Sequence, residues 1–187
     1  MPNREYLPGI IGAPLDYLHP QRLSLPDDFQ GPEARRVLNR ILVEGIDPGP
    51  WPAASPTALA CLWLRQWHQL PYIALLMGAY RLLPNLARGG VLRQLPQAVR
   101  RFAVGQSGRR DTLSMDLSCA ILPQVEAAGL NALGGWHDAI SPRLLARLLL
   151  QFSVEVVDLH RRWPVTQPDT TLFFMAVQHA RRYPAPD

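Results

Sequence analysis

The side chains best suited to acid–base or metal chemistry in this sequence are its five histidines. They lie far apart, and none forms a His-Glu-x-x-His, His-x-His or Cys/His pair with metal-ligand spacing. They are His19, His68, His137, His160 and His179. The sequence also contains no Gly-x-Ser-x-Gly, Gly-x-Gly-x-x-Gly or Gly-x-x-x-x-Gly-Lys motif. It therefore predicts no catalytic residue, metal ligand or cofactor, and the protein is not expected to be an enzyme.

Sequence spacing does not reveal every catalytic site, because folding can bring distant residues together. An enzyme whose site is unrecognised in the sequence therefore stays open as an alternative. Its mark would be a deep polar pocket in which titratable groups converge.

Arginine is the residue whose placement is most informative. All nineteen basic side chains other than histidine are arginine, and the formal net charge is +4. Residues 48–110 contain eight arginines and no Asp or Glu, so this segment has a charge of +8 and the flanks have −2 each. Such asymmetry indicates an anionic surface for the segment to meet. The candidates are the acidic flanks of the chain itself, an acidic protein partner, and nucleic acid or lipid headgroups.

Two tryptophans one helical turn apart, Trp63 and Trp67, stand beside Arg65. Tryptophan and arginine are the residue types most enriched at the energetic centres of protein interfaces. Both rings could equally fill the core of a helical bundle, or one could pack while the other docks a partner. The sequence leaves these alternatives open.

The elements that hold these residues are predicted to be helices throughout. Residues 32–45 and 55–83 place apolar side chains at i, i+3 and i+4, and many of the nineteen prolines fall where a first helical turn is expected. The pattern predicts that Gly129 ends a helix and that residues 143–163 form one helix or two joined near Ser153. Helix caps are predicted at Ser55, before Pro56, at Ser141, before Pro142, and at Asp169. We predict an all-α fold.

The length of 187 residues and a hydrophobic content of 48% predict a single irregular multi-helix domain. Within it we expect an extended N-terminal arm, residues 1–30, and a helical body, residues 31–187. Cys61 and Cys119 lie in apolar helical patterns, where buried free thiols are expected. No apolar stretch is long enough to cross a bilayer, and residues 1–12 lack the apolar core of a secretory signal, so we expect a cytoplasmic protein.

Three local patterns together resemble the OrgA/MxiK group (generic name SctK) of type III secretion sorting-platform adaptors. The first, LDYLHPQRLSLP at 15–26, is similar to the short amino-terminal signature of the group. The second, LWLRQWHQLPYIALLMGAYRL at 62–82, resembles its tryptophan-rich helix followed by a Leu-Pro turn and an apolar helix. The third, AVQHARRYP at 176–184, is similar to its carboxy-terminal ending. Residues 104–141 depart most from the group.

The resemblance implies a non-enzymatic adaptor at the cytoplasmic face of the inner membrane. Its expected partners are the cytoplasmic domain of the inner-membrane ring protein (SctD type) and the sorting-platform scaffold (SctQ type), which leads to the ATPase complex. We expect Tyr17, His19 and Arg22 to position the N-terminal arm. The remaining candidate contacts are Arg65, Trp67, Arg88, Arg93, Arg100, Arg101, Arg109 and Arg110. The alternative function is a small arginine-rich nucleic-acid-binding regulator.

Overall fold

A computed structural model describes residues 6–46, 58–88, 90–106, 115–116, 118–164 and 166–185, and in these ranges the chain forms α-helices, 3-10 turns and no strand. The all-α prediction is confirmed. The helices are α1 (Tyr6–Gly12), α2 (Pro32–Ile46), α3 (Ala58–Arg65), α4 (Leu70–Arg81), α5 (Leu83–Ala87), α6 (Gln97–Gly105), α7 (Ile121–Gly134), α8 (Pro142–Leu148), α9 (Val154–Arg162) and α10 (Thr170–Arg182).

The chain divides into two compact units, each made of two stretches of sequence. Unit 1 comprises Met1–His68 and His137–Val154, and unit 2 comprises Gln69–Trp136 and Glu155–Asp187. Unit 1 therefore contains α1, α2, α3 and α8, and unit 2 contains α4 to α7, α10 and all of α9 except its first residue, Val154. The expected division into a 1–30 arm and a 31–187 body stays a prediction.

The N-terminal stretch of unit 1 is more helical than the extended arm that the sequence predicts. Helix α1 is followed by three 3-10 turns, Pro14–Asp16, Pro20–Arg22 and Asp27–Phe29. Proline begins the first two turns because its fixed φ suits a helical start and its missing N–H is no loss there. The stretch is anchored within the unit by the His19 amide, which donates to the Leu150 carbonyl oxygen at 2.9 Å.

In unit 1, α2 packs loosely and α8 is capped firmly. No residue of α2 is buried, and its Val37 and Ile41 side chains are 46% and 56% exposed. Helix α8 begins after Ser141, whose hydroxyl accepts a hydrogen bond from the Leu144 amide at 3.3 Å. A 3-10 turn, Leu149–Gln151, and extended Phe152 separate α8 from α9. Of the two predicted alternatives for residues 143–163, two helices joined near Ser153 is therefore correct.

The centre of unit 2 is the close packing of α4 against α7. A side-chain carbon at Gly78 would overlap the Val125 carbonyl oxygen, and one at Gly129 would overlap the backbone of Ala74. The prediction that Gly129 ends a helix is wrong, because α7 continues to Gly134. Glycine at this position lets two helix backbones approach each other, which compensates for its poor helix propensity.

Two further predictions have clear outcomes. Asp169 caps α10 as predicted, and its carboxylate accepts from the Leu172 amide at 2.9 Å. Cys61 is a buried free thiol, whereas Cys119 is exposed, which corrects the expectation for that residue. Cys119 lies just before α7, where its thiol donates to the Asp116 carboxylate at 3.3 Å. The predicted cap at Ser55 and Pro56 lies outside the described residues.

Candidate interaction surfaces

Tyr17 belongs to a buried hydrogen-bond network inside unit 1. Its hydroxyl donates to the Ile10 carbonyl oxygen at 2.8 Å and accepts from Arg147 at 3.0 Å. The same arginine nitrogen reaches the carbonyl oxygens of Ile10 and Ile11, at 3.4 and 3.2 Å. Burial raises the pKa of the Tyr17 phenol, an effect that the Arg147 guanidinium opposes. The network stabilises the C-terminal end of α1 and the turn after it.

His19 and Arg22 join the N-terminal stretch to the segment that follows α8. The Arg22 guanidinium donates to the carbonyl oxygens of Phe152, at 2.6 Å, and of Leu149, at 3.1 Å. His19 caps its own turn, because its ring Nδ1 accepts from the Gln21 amide at 3.3 Å. Burial and the nearby Arg22 lower the pKa of the His19 imidazole. These polar groups are therefore engaged inside unit 1.

Trp63 and Trp67 are both buried, at 0% and 1% exposed. Tyr17 meets Trp67 edge to face, with ring centroids 5.3 Å apart. Of the alternatives that the sequence left open, the structure therefore places both rings in the core, and Trp67 offers no exposed aromatic surface to a partner. Arg65, in contrast, is exposed.

Arg88, Arg93, Arg100 and Arg101 lie in unit 2, on or close to α5 and α6, whereas Arg109 and Arg110 lie outside the described residues. Arg100 is half-buried and the other three are exposed. Among the described residues, ion pairs join Arg35 to Asp16, Arg36 to Glu33 and Arg161 to Asp158, and the His137 ring lies 3.5 Å from the Asp138 carboxylate. None of these involves the four arginines, so their charge is not neutralised by the described part of the flanks.

The structure adds residues at the end of α10 that sequence reasoning missed. Arg101 donates to the Tyr183 hydroxyl at 3.2 Å, and its guanidinium carbon lies 5.2 Å from the centre of that ring. The guanidinium carbon of Arg182 lies 5.7 Å from the same centre. From the sequence alone, Arg181 and Arg182 are expected to be an ordinary pair of solvated arginines, although Tyr183 falls in the third family-like pattern. We define the α6/α10 arginine cluster as Arg100, Arg101, Arg181, Arg182 and Tyr183.

The α6/α10 arginine cluster carries a net positive charge. Burial lowers the pKa of His179, the Ala98 carbonyl oxygen at 3.0 Å from its Nε2 opposes this, and Arg101 and Arg182 lower it further. The buried Nε of Arg100 has no acceptor among the described residues. Unit 2 contains eleven arginines and seven acidic residues, whereas unit 1 contains eight of each. The whole net charge of +4 therefore belongs to unit 2.

Two other features bear on chemistry. In the described ranges, no group of three or more His, Cys, Asp or Glu side chains could hold a metal ion, and no helix could span a membrane. A cavity of about 650 Å³ in unit 2 is lined by Arg81, Ala132 and residues 166–172. Arg81 is buried there and donates to the Ala128 carbonyl oxygen at 3.1 Å, so it serves the α4/α7 packing.

Comparisons with known proteins agree with the sequence resemblance. Residues 7–182 match the family described as bacterial type III secretion apparatus protein (OrgA_MxiK). The chain is 32% identical to the oxygen-regulated invasion protein OrgA of Salmonella typhimurium strains 14028s, SL1344 and LT2, over 97% of this chain and 92% of those proteins. No solved structure matches it significantly. The chain therefore belongs to the OrgA/MxiK family of type III secretion apparatus proteins.

Proposed function

We propose that this protein is a non-enzymatic adaptor of a type III secretion apparatus. It links the cytoplasmic domain of the inner-membrane ring protein (SctD type) to the sorting-platform scaffold (SctQ type), and so to the ATPase complex. It acts on the cytoplasmic side of the inner membrane. Membership of the apparatus family and the resemblance in three separate motifs support this proposal.

The observation that carries the proposal is the α6/α10 arginine cluster. Arg101 and Arg182 lie against the same ring, that of Tyr183. Arg100 and Arg181 are their neighbours in sequence, and none of the four has a carboxylate partner among the described residues. Cations held together without an acid repel one another, and an acidic surface relieves that repulsion. Such complementarity mainly sets partner choice and association rate. The cluster therefore fits an acidic face of the ring protein or of the scaffold.

The test is a double charge reversal at the two exposed arginines around Tyr183, Arg101→Glu and Arg182→Glu. We expect at least a tenfold loss of affinity for one of the two partners in calorimetric titration, because two attractive contacts become repulsive. The control is Arg161→Glu with Arg162→Glu, a second exposed arginine pair in unit 2. If both double variants bind each partner with equal affinity, the α6/α10 arginine cluster is not a contact surface.

Nucleic acid is the competing ligand for the same arginines. Phosphate binding by arginine depends steeply on salt, with a log-log slope near −0.9 per contact on duplex DNA. We therefore include a duplex DNA and a single-stranded RNA in the titration at low salt. Tight, salt-dependent binding to either, together with no binding to the apparatus partners, would favour the regulator over the adaptor.

A further inference from the structure

Helix α10 carries a line of exposed side chains along one face. Phe174, Gln178, Arg181 and Arg182 occur at i, i+4, i+7 and i+8, the spacing of residues that share one face of an α-helix. All four are exposed, whereas the opposite face of α10 is buried in unit 2. A rise of about 1.5 Å per residue separates Phe174 from Arg182 by about 12 Å along the helix axis. We call these four residues the α10 stripe.

Phe174 is a large apolar side chain that unit 2 leaves uncovered. It is 44% exposed, yet the next residue inward, Phe173, is fully buried, and the two rings meet edge to face with centroids 6.3 Å apart. Phe173 in turn contacts the buried Trp136 ring, with centroids 5.4 Å apart. The exposed ring is therefore backed by packed aromatic rings. Such a ring loses little conformational freedom on binding, so it is well suited to anchor a contact.

The basic end of the stripe has no acid to pair with among the described residues. The Arg181 guanidinium forms no hydrogen bond or ion pair there, and the Arg182 guanidinium lies against the Tyr183 ring. The sequence from 170 to 186 contains no Asp or Glu. The helix dipole favours arginines in a last turn. It gives no reason for an exposed phenylalanine two turns before them, so helix stability alone does not explain the combination.

We infer that the α10 stripe binds an acidic amphipathic helix of a partner protein. An apolar side chain of that helix covers Phe174, and Asp or Glu side chains about two turns along it pair with Arg181 and Arg182. A helix is the fitting form, because two helices that pack along each other repeat their side chains at the same spacing. The inference rests on the proposed function and extends it, since it states the form and chemistry of the segment that the α6/α10 arginine cluster meets.

Two other occupants fit the stripe less well. A second copy of this chain, paired through the same stripe, would bring two arginines and no carboxylate to each side, so their charge would have no complement. Helices that bind lipid insert a whole apolar face into the bilayer surface. The apolar face of α10 is instead buried in unit 2, and Phe174 is the large apolar residue that the helix leaves exposed.

The first test is Phe174→Ala, which removes the exposed ring. We titrate the full chain calorimetrically with the ring-protein cytoplasmic domain and, separately, with the scaffold protein of the same secretion system. Affinity for one of the two should fall roughly tenfold, as is usual when an aromatic anchor is truncated. The control is Leu122→Ala, because Leu122 lies on α7 outside the stripe and is equally exposed, at 45%. It should bind like the natural sequence.

Gln178→Glu tests the same face without removing any packed atom, because Gln178 is exposed. The new carboxylate lies one turn before Arg181 and Arg182, where it pairs with them and repels the acids of the partner. Affinity for the partner that responds to Phe174→Ala should fall roughly threefold or more, with an unchanged melting temperature. The control is Gln21→Glu, which adds the same charge at an exposed position of unit 1.

Photo-crosslinking identifies the occupant. A benzophenone analogue of phenylalanine at position 174 should attach to a partner helix that has Asp or Glu within about two turns of the attachment point. Attachment to a basic or uncharged segment would overturn the inference. So would binding to phosphatidylglycerol vesicles that Phe174→Ala abolishes, which would assign the stripe to lipid. A dimer of the free chain that Phe174→Ala dissociates, measured by light scattering, would assign it to a second copy.

The outcomes separate this inference from the proposed function. If a partner binds, but Phe174→Ala and Gln178→Glu bind it as tightly as their controls, the α10 stripe is not a contact site while the adaptor function stands. If neither partner binds at all, the adaptor function fails, and this inference fails with it.

Discussion

Two pairs of arginines, one pair in each unit, are used in opposite ways. In unit 1, Arg147 is fully buried and Arg22 half-buried, and both donate to backbone carbonyl oxygens that end short helices. In unit 2, Arg101 and Arg182 lie around the ring of Tyr183, with no carboxylate partner in the described ranges. In the first arrangement the guanidinium donates to the protein backbone, whereas in the second its charge stays available. The difference indicates that Arg22 and Arg147 hold the fold, and it supports the proposal that the α6/α10 arginine cluster meets a partner.

The strongest test of this difference is Arg147→Met. The substitution keeps much of the buried volume but removes the donor for the Ile10 and Ile11 carbonyl oxygens and for the Tyr17 hydroxyl. Because hydrogen bonds to a charged group contribute about 1.5 to 3 kcal/mol each and these three share one nitrogen, we expect a loss of about 3 kcal/mol in the free energy of unfolding. Urea titration followed by circular dichroism measures it. A loss as small as that of Arg40→Met would show that Arg147 does not hold unit 1 together.

Two glycine substitutions compare the closely packed helices α4 and α7 of unit 2 with the loosely packed α2 of unit 1. Gly129→Ala forces a side-chain carbon into the Ala74 backbone, so we expect about 2 kcal/mol of destabilisation. Gly45→Ala in α2 meets no atom within 4 Å and should raise stability by about 0.5 kcal/mol, because alanine favours the helix. The same urea titration compares the two. Equal effects would contradict the close approach of α4 and α7.

A smaller effect is expected from pH. Burial and the adjacent Arg161 lower the pKa of His160 from its ordinary value near 6.5. The unfolded chain therefore takes up a proton before the folded chain does, so stability is greatest above about pH 6.5 and falls as the pH is lowered through that value. We expect His160→Phe to reduce the loss between pH 7.5 and 5.5 by under about 1 kcal/mol. Identical pH profiles for both proteins would show that His160 does not contribute.

The smallest effect on stability is expected for the charge reversals in the α6/α10 arginine cluster. Arg101→Glu with Arg182→Glu changes exposed side chains, so the free energy of unfolding should stay within about 0.5 kcal/mol. Together with a large loss of partner affinity, this result would separate a contact surface from a structural one. A destabilisation comparable with that of Arg147→Met would place this cluster with the structural arginines instead.

Most of the fold could be predicted from local patterns, because caps and apolar spacing act within one helical turn. Asp169 and Ser141 are caps in the structure for that reason. Gly129 could not be predicted correctly, since its role depends on a second helix that is distant in sequence. The same limit applies to the candidate surfaces. The pairing of Arg101 with Tyr183 joins positions 82 residues apart, and no spacing rule connects them.

The tryptophans show why residue type alone does not locate a contact. Their enrichment at interfaces made Trp67 a candidate, but a ring of that size is also well suited to a core, and the structure buries it. Arg65, two residues earlier, is exposed. Only the folded arrangement shows that the arginine, and not the tryptophan beside it, is open to a partner.

The most direct test of the adaptor function is reconstitution from three purified components. The ring-protein cytoplasmic domain and the scaffold protein are mixed with and without this chain and separated by size-exclusion chromatography with light scattering. We predict that the two partners elute together only when the chain is present, in a complex whose mass accounts for all three. Co-elution of the two partners without the chain, or their separate elution in its presence, would contradict the bridging role.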